Sequence, residues 1–513
     1  MRQPVEQHRI PVDADGNHLV DPGFGTRDDH DRDLDTRRRM RPFWLSGKQT
    51  FADTELTVES PWDGSVVDAV CTPTDVQIEQ AVSDLHTVQA EARATPAHVR
   101  AAALDHVSGR LAERAEEVAR LITAESGKPL IWSRGEVARA ASTFRWAAEE
   151  ARRFSGELQR LDTDAGATGR MAVVRRFPRG PVLAITPFNF PLNLVAHKLA
   201  PAIAVGAPVL VKPAPATPLS ALLLGELLAE TSLPPAMVSV LPVANDRMPA
   251  LVEDPRLPVV SFTGSGPVGW SLRTQVPRKH VTLELGGNAA VVVNDDWPDI
   301  RAAAERIALF GNYQAGQSCI SVQRVLVHSA VYEEFVDKLV VAVSELRTGD
   351  PTGEGVQVGP VINEAAAQRI MAWIDEAVLA GATMLTGGTR EGNSVAPTVL
   401  TGVPREATLA TEEVFGPVLT LERFDTIDQA LASVNDSRYG LQTGVFTRDL
   451  QLAFRAHREL EVGGVVIGDV PSYRAEQMPY GGSKDSGIGR EGVKAAMLDL
   501  TEDRVLVLTG LDL

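Results

Sequence analysis

Val259-Val260-Ser261-Phe262-Thr263-Gly264-Ser265-Gly266-Pro267-Val268-Gly269 runs from an apolar stretch through a glycine-rich turn into a helical pattern. Gly264, Gly266 and Gly269 match G-x-G-x-x-G, and Glu284 lies 20 residues beyond Gly264. That is the spacing of a dinucleotide-binding βα turn and its ribose-binding acid. Glycines let a backbone approach a pyrophosphate closely, and a helix N-terminus favours its charge. The bland alternative is a tight βα turn without a ligand. Pro267 departs from the usual form of the fingerprint.

Outward from this turn, short apolar runs alternate with helical patterns. Upstream lie Val182–Thr186, Val209–Val211 and Val238–Leu241, with a helix such as Leu219–Thr231 between them. Downstream, a second series comprises Ala290–Val293, Val325–Val327, Met384–Thr386, Val418–Phe424 and Val465–Ile467. Strand–helix alternation on this scale predicts parallel, doubly wound sheets, here two α/β domains. Ahead of them, Asp63-Gly64 reads as a hairpin turn. Helical spacing runs from Val99 to Ile122, stopped by Ser126-Gly127-Lys128-Pro129, and a second amphipathic helix passes through Phe144 to Phe154. The hydrophilic stretch Glu157–Arg175 fits neither series. It reads as a hairpin leaving the first domain, with the strand-like tail Arg504–Thr509 as a partner.

At 513 residues the chain exceeds one ordinary core, and 44% hydrophobic with 23% charged residues is ordinary globular composition. A formal charge of -17 argues against binding nucleic acid. Cys71 and Cys319 are the only cysteines, which excludes a disulfide scaffold and fits a reducing cytoplasm. No apolar run is long enough for a membrane span, and the first 40 residues lack the apolar core of a secretory signal. Arg37-Arg38-Arg39 precedes mixed sequence, not the hydrophobic run of an export signal. Residues 1–40, including TRDDHDRDLDTRRR at Thr26–Arg39, read as a solvated arm, with a docking segment as the sharper alternative.

Three further residues invite chemistry. Cys319, in Gly316-Gln317-Ser318-Cys319-Ile320, has turn-like flanks that suit a displayed nucleophile, although a lone cysteine is more often a small buried hydrophobe. Cys71, in Ala69-Val70-Cys71-Thr72, looks like the buried kind. Glu284 stands between Leu283 and Leu285. Burying a carboxylate there is costly, and the same burial raises its pKa toward that of a general base. Its alternative is a strand-end glutamate facing solvent. Asn189 sits in Pro187-Phe188-Asn189-Phe190-Pro191, where a rigid backbone could aim one amide at an oxyanion or merely satisfy a turn.

Together these segments resemble the aldehyde dehydrogenase superfamily from about Trp44 to Val507. The resemblance extends to Val211-Lys212-Pro213, Glu412-Glu413-Val414-Phe415-Gly416-Pro417 and Pro479-Tyr480-Gly481-Gly482-Ser483-Lys484-Asp485-Ser486-Gly487, all in the family's order. Within the family the likeness is greatest to the lactaldehyde, succinate-semialdehyde and non-phosphorylating glyceraldehyde-3-phosphate dehydrogenase branches. The resemblance implies Cys319 as nucleophile, Glu284 as the base that activates water, and Asn189 with the Cys319 N–H as oxyanion hole. This displaces the ribose role first read for Glu284. It implies NAD or NADP as cofactor, with Lys212 at the adenosine ribose, Gly264 and Ser265 near the pyrophosphate, Glu413 on the nicotinamide ribose and Phe415 beside it. It implies no metal.

The expected fold is thus α/β and aldehyde dehydrogenase-like: two doubly wound domains plus a small β oligomerisation element. The expected boundaries are 1–40 for the arm, 41–156 with 179–283 for the dinucleotide-binding domain and 284–485 for the catalytic domain. Residues 157–178 and 486–513 form the oligomerisation element and tail, in a homodimer or homotetramer. The expected reaction is oxidation of a small aliphatic aldehyde or semialdehyde through a cysteine thiohemiacetal and thioester. The alternatives are a CoA-acylating relative, against which Glu284 argues, and a non-catalytic structural relative, against which the intact Cys319, Glu284 and Asn189 set argues. Three positions depart from the common family pattern: Pro215 where NAD-preferring members often carry glutamate, Ser318 where glyceraldehyde-3-phosphate oxidisers often carry arginine, and Gly468 where asparagine is common. Arg474 reads equally as a cation for a substrate carboxylate or phosphate and as a surface or interface arginine.

Overall fold

Val182–Ile185, Val209–Lys212, Val238–Val240, Val259–Thr263 and His280–Glu284 form the parallel heart of an eight-stranded sheet. These strands are almost continuously buried, as expected where helices cover both faces. The computed structural model to which they belong describes residues 40–512, so the expected N-terminal arm, Met40 apart, lies outside the described residues. Phe43–Leu45 and Lys48–Thr50 close one edge of the sheet in antiparallel fashion, and Gly487–Ile488 closes the other against Leu283 and Glu284. Strand order reverses between Val182–Ile185 and Val259–Thr263. Such a reversal opens a crevice at the carboxyl ends of the strands, where ligands of open α/β sheets bind.

The second sheet has seven strands. Thr398–Thr401, Val418–Phe424, Arg324–His328, Ala290–Val293, Gln442–Phe446 and Gly464–Ile467 run parallel, and Thr383–Thr386 is antiparallel at one edge. Two of these strands escape the periodicity analysis. Gln442–Phe446 begins with Gln, Thr and Gly yet is buried at every position, so neither alternation nor an apolar run marks it. Thr398–Thr401 is too short and too rich in threonine to stand out.

The helical region from Val99 to Ile122 is two helices, Ala97–Glu113 and Ala115–Ser126, because Arg114 leaves helical geometry at φ −100° and ψ 21°. The following helix, Leu130–Arg153, starts well before Phe144. Asn193–Val205 is buried along its whole length, and Leu219–Ala229 is nearly so. A helix apolar on all sides belongs in the interior. Buried carboxylates cap the N-termini of both. Glu125 accepts from the N–H groups of Leu219 and Ser220 at 2.7 and 3.0 Å, and Glu136 from those of Leu192 and Asn193, each at 3.0 Å.

A third, three-stranded sheet is built from Glu157–Arg160, Arg170–Pro178 and Thr501–Thr509, the tail pairing antiparallel along all nine residues of the central strand. The tail is an edge strand, and its consecutive Val505, Leu506, Val507 and Leu508 are exposed. Among the described residues no helix is long and apolar enough to cross a membrane.

Candidate active site

Asn189, Lys212, Ser265 and Glu284 all lie at or just beyond the carboxyl ends of parallel strands in the first sheet. Cys319 and Glu413 stand a few residues before Arg324–His328 and Val418–Phe424, at the amino ends of strands in the second sheet. The two sheets therefore present opposite strand ends to one region, and the chemistry-bearing residues come from six separate stretches of chain.

Cys319 follows an unusual turn. Gln314, Ala315 and Gly316 all have left-handed φ, at 42°, 57° and 69°. For the two non-glycine residues that geometry costs about 1–2 kcal/mol each. At Gly316 a Cβ would stand 2.1 Å from the carbonyl oxygen of Gly416, so only glycine fits. The turn is held by Gln317, whose carbonyl accepts from Gln314 Nε2 at 2.9 Å and whose Oε1 accepts from the Ile362 N–H at 2.9 Å. Cys319 itself keeps part of its surface open, whereas Cys71 is fully buried in a strand. The protein packed around Cys319 pushes its thiol up to about 12, against the lowering effect of its bond to Tyr480.

Glu284 is 3% exposed, and neither carboxylate oxygen has a hydrogen-bond partner among the described residues. A Cβ at Gly481 would stand 2.9 Å from its Oε1, which places the carboxylate beside the Tyr480-Gly481 backbone. Burial, and next the neighbouring charge of Glu491, hold the Glu284 carboxyl well above the ordinary carboxylate range. Native proteins rarely leave such a group unpaired except where function uses it.

Asn189 is buried and donates from Nδ2 to the Gln317 carbonyl at 2.9 Å. A primary amide has two N–H donors, so a second remains. Phe188, its neighbour, meets Phe415 edge-on at 5.8 Å between ring centres. Phe415 has a left-handed φ of 46°.

Ser265 is the N-cap of helix Gly266–Gln275, and its hydroxyl makes no cap bond to that helix. A side chain at Gly266 would point into open space, whereas at Gly269 it would strike Leu285 at 2.5 Å. Pro267, the departure from the fingerprint, occupies the first helical turn, where no intrahelical N–H bond is needed and proline is well tolerated. Lys212 is buried and donates to Asn245 Oδ1 at 2.6 Å, and burial lowers its amine to about 8. Glu413 accepts from the Gly287 N–H at 3.0 Å, and burial raises its carboxyl to about 7. Free helix N–H groups, an amine and a carboxylate with acceptor capacity to spare suit a pyrophosphate and ribose hydroxyls. Gly468 has φ 76°, a region that glycine and asparagine tolerate best, which accounts for a glycine where asparagine is common.

Tyr480, Glu491, Glu476 and Arg139, given no individual role by the sequence, gather here around Arg474. Tyr480 is 4% exposed, and its hydroxyl lies 3.0 Å from Cys319 Sγ. Arg474 is an interior residue, neither at the surface nor idle. Its guanidinium lies 3.9 Å from the Tyr480 ring centre and bonds Glu491 at 3.2 Å. Glu491 also pairs with buried Lys198 at 3.0 Å. Glu476 joins His197 to Arg139, which comes from the remote helix Leu130–Arg153. Arg139 and Cys319 both act electrostatically on Tyr313, so that arginine approaches the same region.

The model of the aldehyde dehydrogenase family matches residues 44–506. A 3-sulfolactaldehyde dehydrogenase of Priestia megaterium is 44% identical over 399 residues, covering 78% of this chain and 83% of its own. Aldehyde dehydrogenase 21 from Physcomitrella patens, solved in complex with the reaction product succinate, superposes with a TM-score of 0.91 at 44% identity, covering 92% and 99%. An NADP-dependent glyceraldehyde-3-phosphate dehydrogenase from Bacillus halodurans, solved with NADP, superposes with a TM-score of 0.88 at 33% identity, covering 92% and 99%.

Proposed function

The chain belongs to the aldehyde dehydrogenase family and oxidises an aldehyde with NAD or NADP as acceptor; from that premise we propose that it does so through a thioester on Cys319, with a short aldehyde bearing a distal anionic group as substrate. The observation that carries the mechanism is the pair formed by a partly open thiol and the buried, unpartnered carboxylate of Glu284.

Cys319 attacks the carbonyl carbon as thiolate, its proton passing to Glu284, whose lone pairs are unoccupied. The developing oxyanion takes the spare Asn189 N–H and the Cys319 backbone N–H. When bound, NAD or NADP supplies the hydride acceptor, held by Lys212, Gly264, Ser265, Glu413 and Phe415. A thioester is left on Cys319 once the hydride has gone. Glu284 releases the thiol proton to solvent, takes a second proton from water as carboxylate, and the hydroxide formed adds to the thioester carbon and expels the sulfur, releasing the acid. Transfer to CoA would not need this base, so Glu284 favours hydrolysis.

The distal anion rests on two supports. Relatives with names such as 3-sulfolactaldehyde dehydrogenase, and a neighbour holding succinate, imply a sulfonate or carboxylate. Arg474 supplies positive charge at Cys319 and Arg139 at neighbouring Tyr313, and Arg474 Nε is buried without a partner among the described residues. Ser318 brings no charge beside Cys319, so these arginines would supply the cations from elsewhere in the chain. Assay of purified protein against sulfonated, carboxylated and neutral aldehydes of equal length, reading cofactor reduction, tests both parts. The expected outcome is a kcat/KM at least tenfold higher for the anionic aldehydes. Equal efficiency for the neutral ones would remove the anion from the proposal, and activity persisting in Cys319→Ala would remove the thioester.

The same proposal includes assembly into a homodimer or homotetramer through the three-stranded sheet. The open edge and exposed apolar run at Val505–Leu508 need a cover. A monomer by light scattering at micromolar concentration would overturn it.

A further inference from the structure

Tyr480 is fixed from three directions. Its backbone forms a reciprocal bridge with Glu491, N–H to carbonyl at 2.9 and 2.7 Å. The Glu491 side chain holds Arg474 at 3.2 Å and Lys198 at 3.0 Å. Arg474 in turn lies against the Tyr480 ring, 3.9 Å from its centre. The closed circuit of Tyr480, Glu491 and Arg474 leaves the phenol one hydrogen-bonding contact among the described side chains, the sulfur of Cys319 at 3.0 Å. A tyrosine serving only to pack would gain nothing from such a fixed hydroxyl aimed at a reactive atom.

We propose that Tyr480 is a catalytic residue, the hydrogen-bond donor to the Cys319 sulfur whenever that sulfur is anionic, and that Arg474 positions it. This rests on Cys319 being the nucleophile. In the resting pair either group can donate. Once the thiol proton has moved to Glu284, the sulfur is an acceptor only and the phenol O–H must point to it. Attack forms the S–C bond and consumes the negative charge on sulfur. In deacylation the electrons return. The C–S bond breaks, its pair goes to sulfur, and the phenol O–H again meets a thiolate, now as leaving group. No net proton leaves Tyr480 in either step. The Arg474 cation over the ring draws on its electron density and makes the O–H a better donor. The charges facing the sulfur are Glu284 and Glu413, which oppose the thiolate, and Arg474, which favours it. Tyr480 is therefore the neutral donor in a field of mixed sign.

The test is the rate of Cys319 alkylation by iodoacetamide at pH 8 in the full-length protein, with the label located by mass spectrometry, together with pre-steady-state cofactor reduction. Removing one hydrogen bond to a charged atom is worth about 10-fold to 100-fold. Tyr480→Phe should slow alkylation, burst and steady phases alike by that factor. Site-specific 3-fluorotyrosine at 480, a stronger donor of nearly unchanged shape, should speed alkylation at that pH, and it serves alone if Tyr480→Phe does not fold. An unchanged alkylation rate in either variant overturns the proposal. A separate outcome concerns its premise: if Cys319→Ala retains turnover, the nucleophile has been misassigned, irrespective of how Tyr480 behaves.

Discussion

Asn189 gives a side-chain N–H to the main-chain carbonyl of Gln317, two residues ahead of Cys319, at 2.9 Å. The amide proposed for the oxyanion is thereby tied to the turn that precedes Cys319, so neither moves independently. Asn189→Ala should lower kcat by about 100-fold to 1,000-fold, the usual cost of one oxyanion donor. Because the tie to Gln317 is lost too, the melting temperature should fall as well. A variant with full kcat would take Asn189 out of the chemistry.

Glu284→Gln should impair both halves of the reaction. Glutamine keeps the shape but cannot accept a proton from the thiol or from water at neutral pH. Steady turnover should fall about 100-fold to 10,000-fold, with cofactor binding intact and no burst of reduced cofactor. A burst near one equivalent of sites ahead of slow turnover would show that Cys319 loses its proton by another route and would confine Glu284 to deacylation. In the unaltered protein the base form is the carboxylate, and burial together with Glu491 raises its pKa. Deacylation-limited kcat should therefore climb with pH through a limb lying well above the ordinary carboxylate value of 4.5. A limb at or below that value would contradict the environment described for Glu284.

Cofactor choice should depend on pH. Pro215 places no carboxylate where one would repel a 2′-phosphate, and Lys212 can attract that phosphate while protonated. Burial lowers the Lys212 amine to about 8, so its charge is present below that pH and lost above it. The ratio of kcat/KM for NADP to that for NAD should fall as pH rises from 7 to 9, on the order of tenfold. Pro215→Glu should shift preference toward NAD at every pH. A flat ratio would dissociate Lys212 from the phosphate.

Glu136 links stability to the site. It pairs with buried Lys128 and caps the chain at Leu192 and Asn193, just after the Asn189 loop. Glu136→Ala strands a buried ammonium and two N–H groups, a loss of about 3–5 kcal/mol. The Lys128→Met and Glu136→Gln double variant should recover much of it, because the uncompensated charge is gone. Denaturant melts of both would decide the matter, and equal losses would refute the charge argument.

The parallel sheets were legible because buried strands such as Val418–Phe424 are written as apolar runs between helices. Gln442–Phe446 was not, since its polar side chains are satisfied internally: Gln442 Nε2 donates to the carbonyls of Pro471 and Tyr473, each at 2.6 Å. Cys319, Glu284 and Asn189 stood out because each sits in a local pattern. Tyr480 and Arg139 did not, because what distinguishes them is the company they keep. Tyr480 meets the sulfur across 161 residues of sequence, and Arg139 meets Glu476 across 337. No local pattern encodes such a meeting.

The short strand Gly487–Ile488 has a consequence for biosynthesis. It completes the sheet beside Glu284, yet it leaves the ribosome about 200 residues after its partner. At about 5–20 residues per second, the nascent chain carries an unpaired strand edge next to the Glu284 carboxylate for roughly 10–40 s. During that interval the first sheet can exist with an open side, the kind of edge that recruits strands from neighbouring polypeptides. Translation that stops short of residue 487 would thus yield an aggregation-prone product, and nascent-chain chaperones would find their target on this edge.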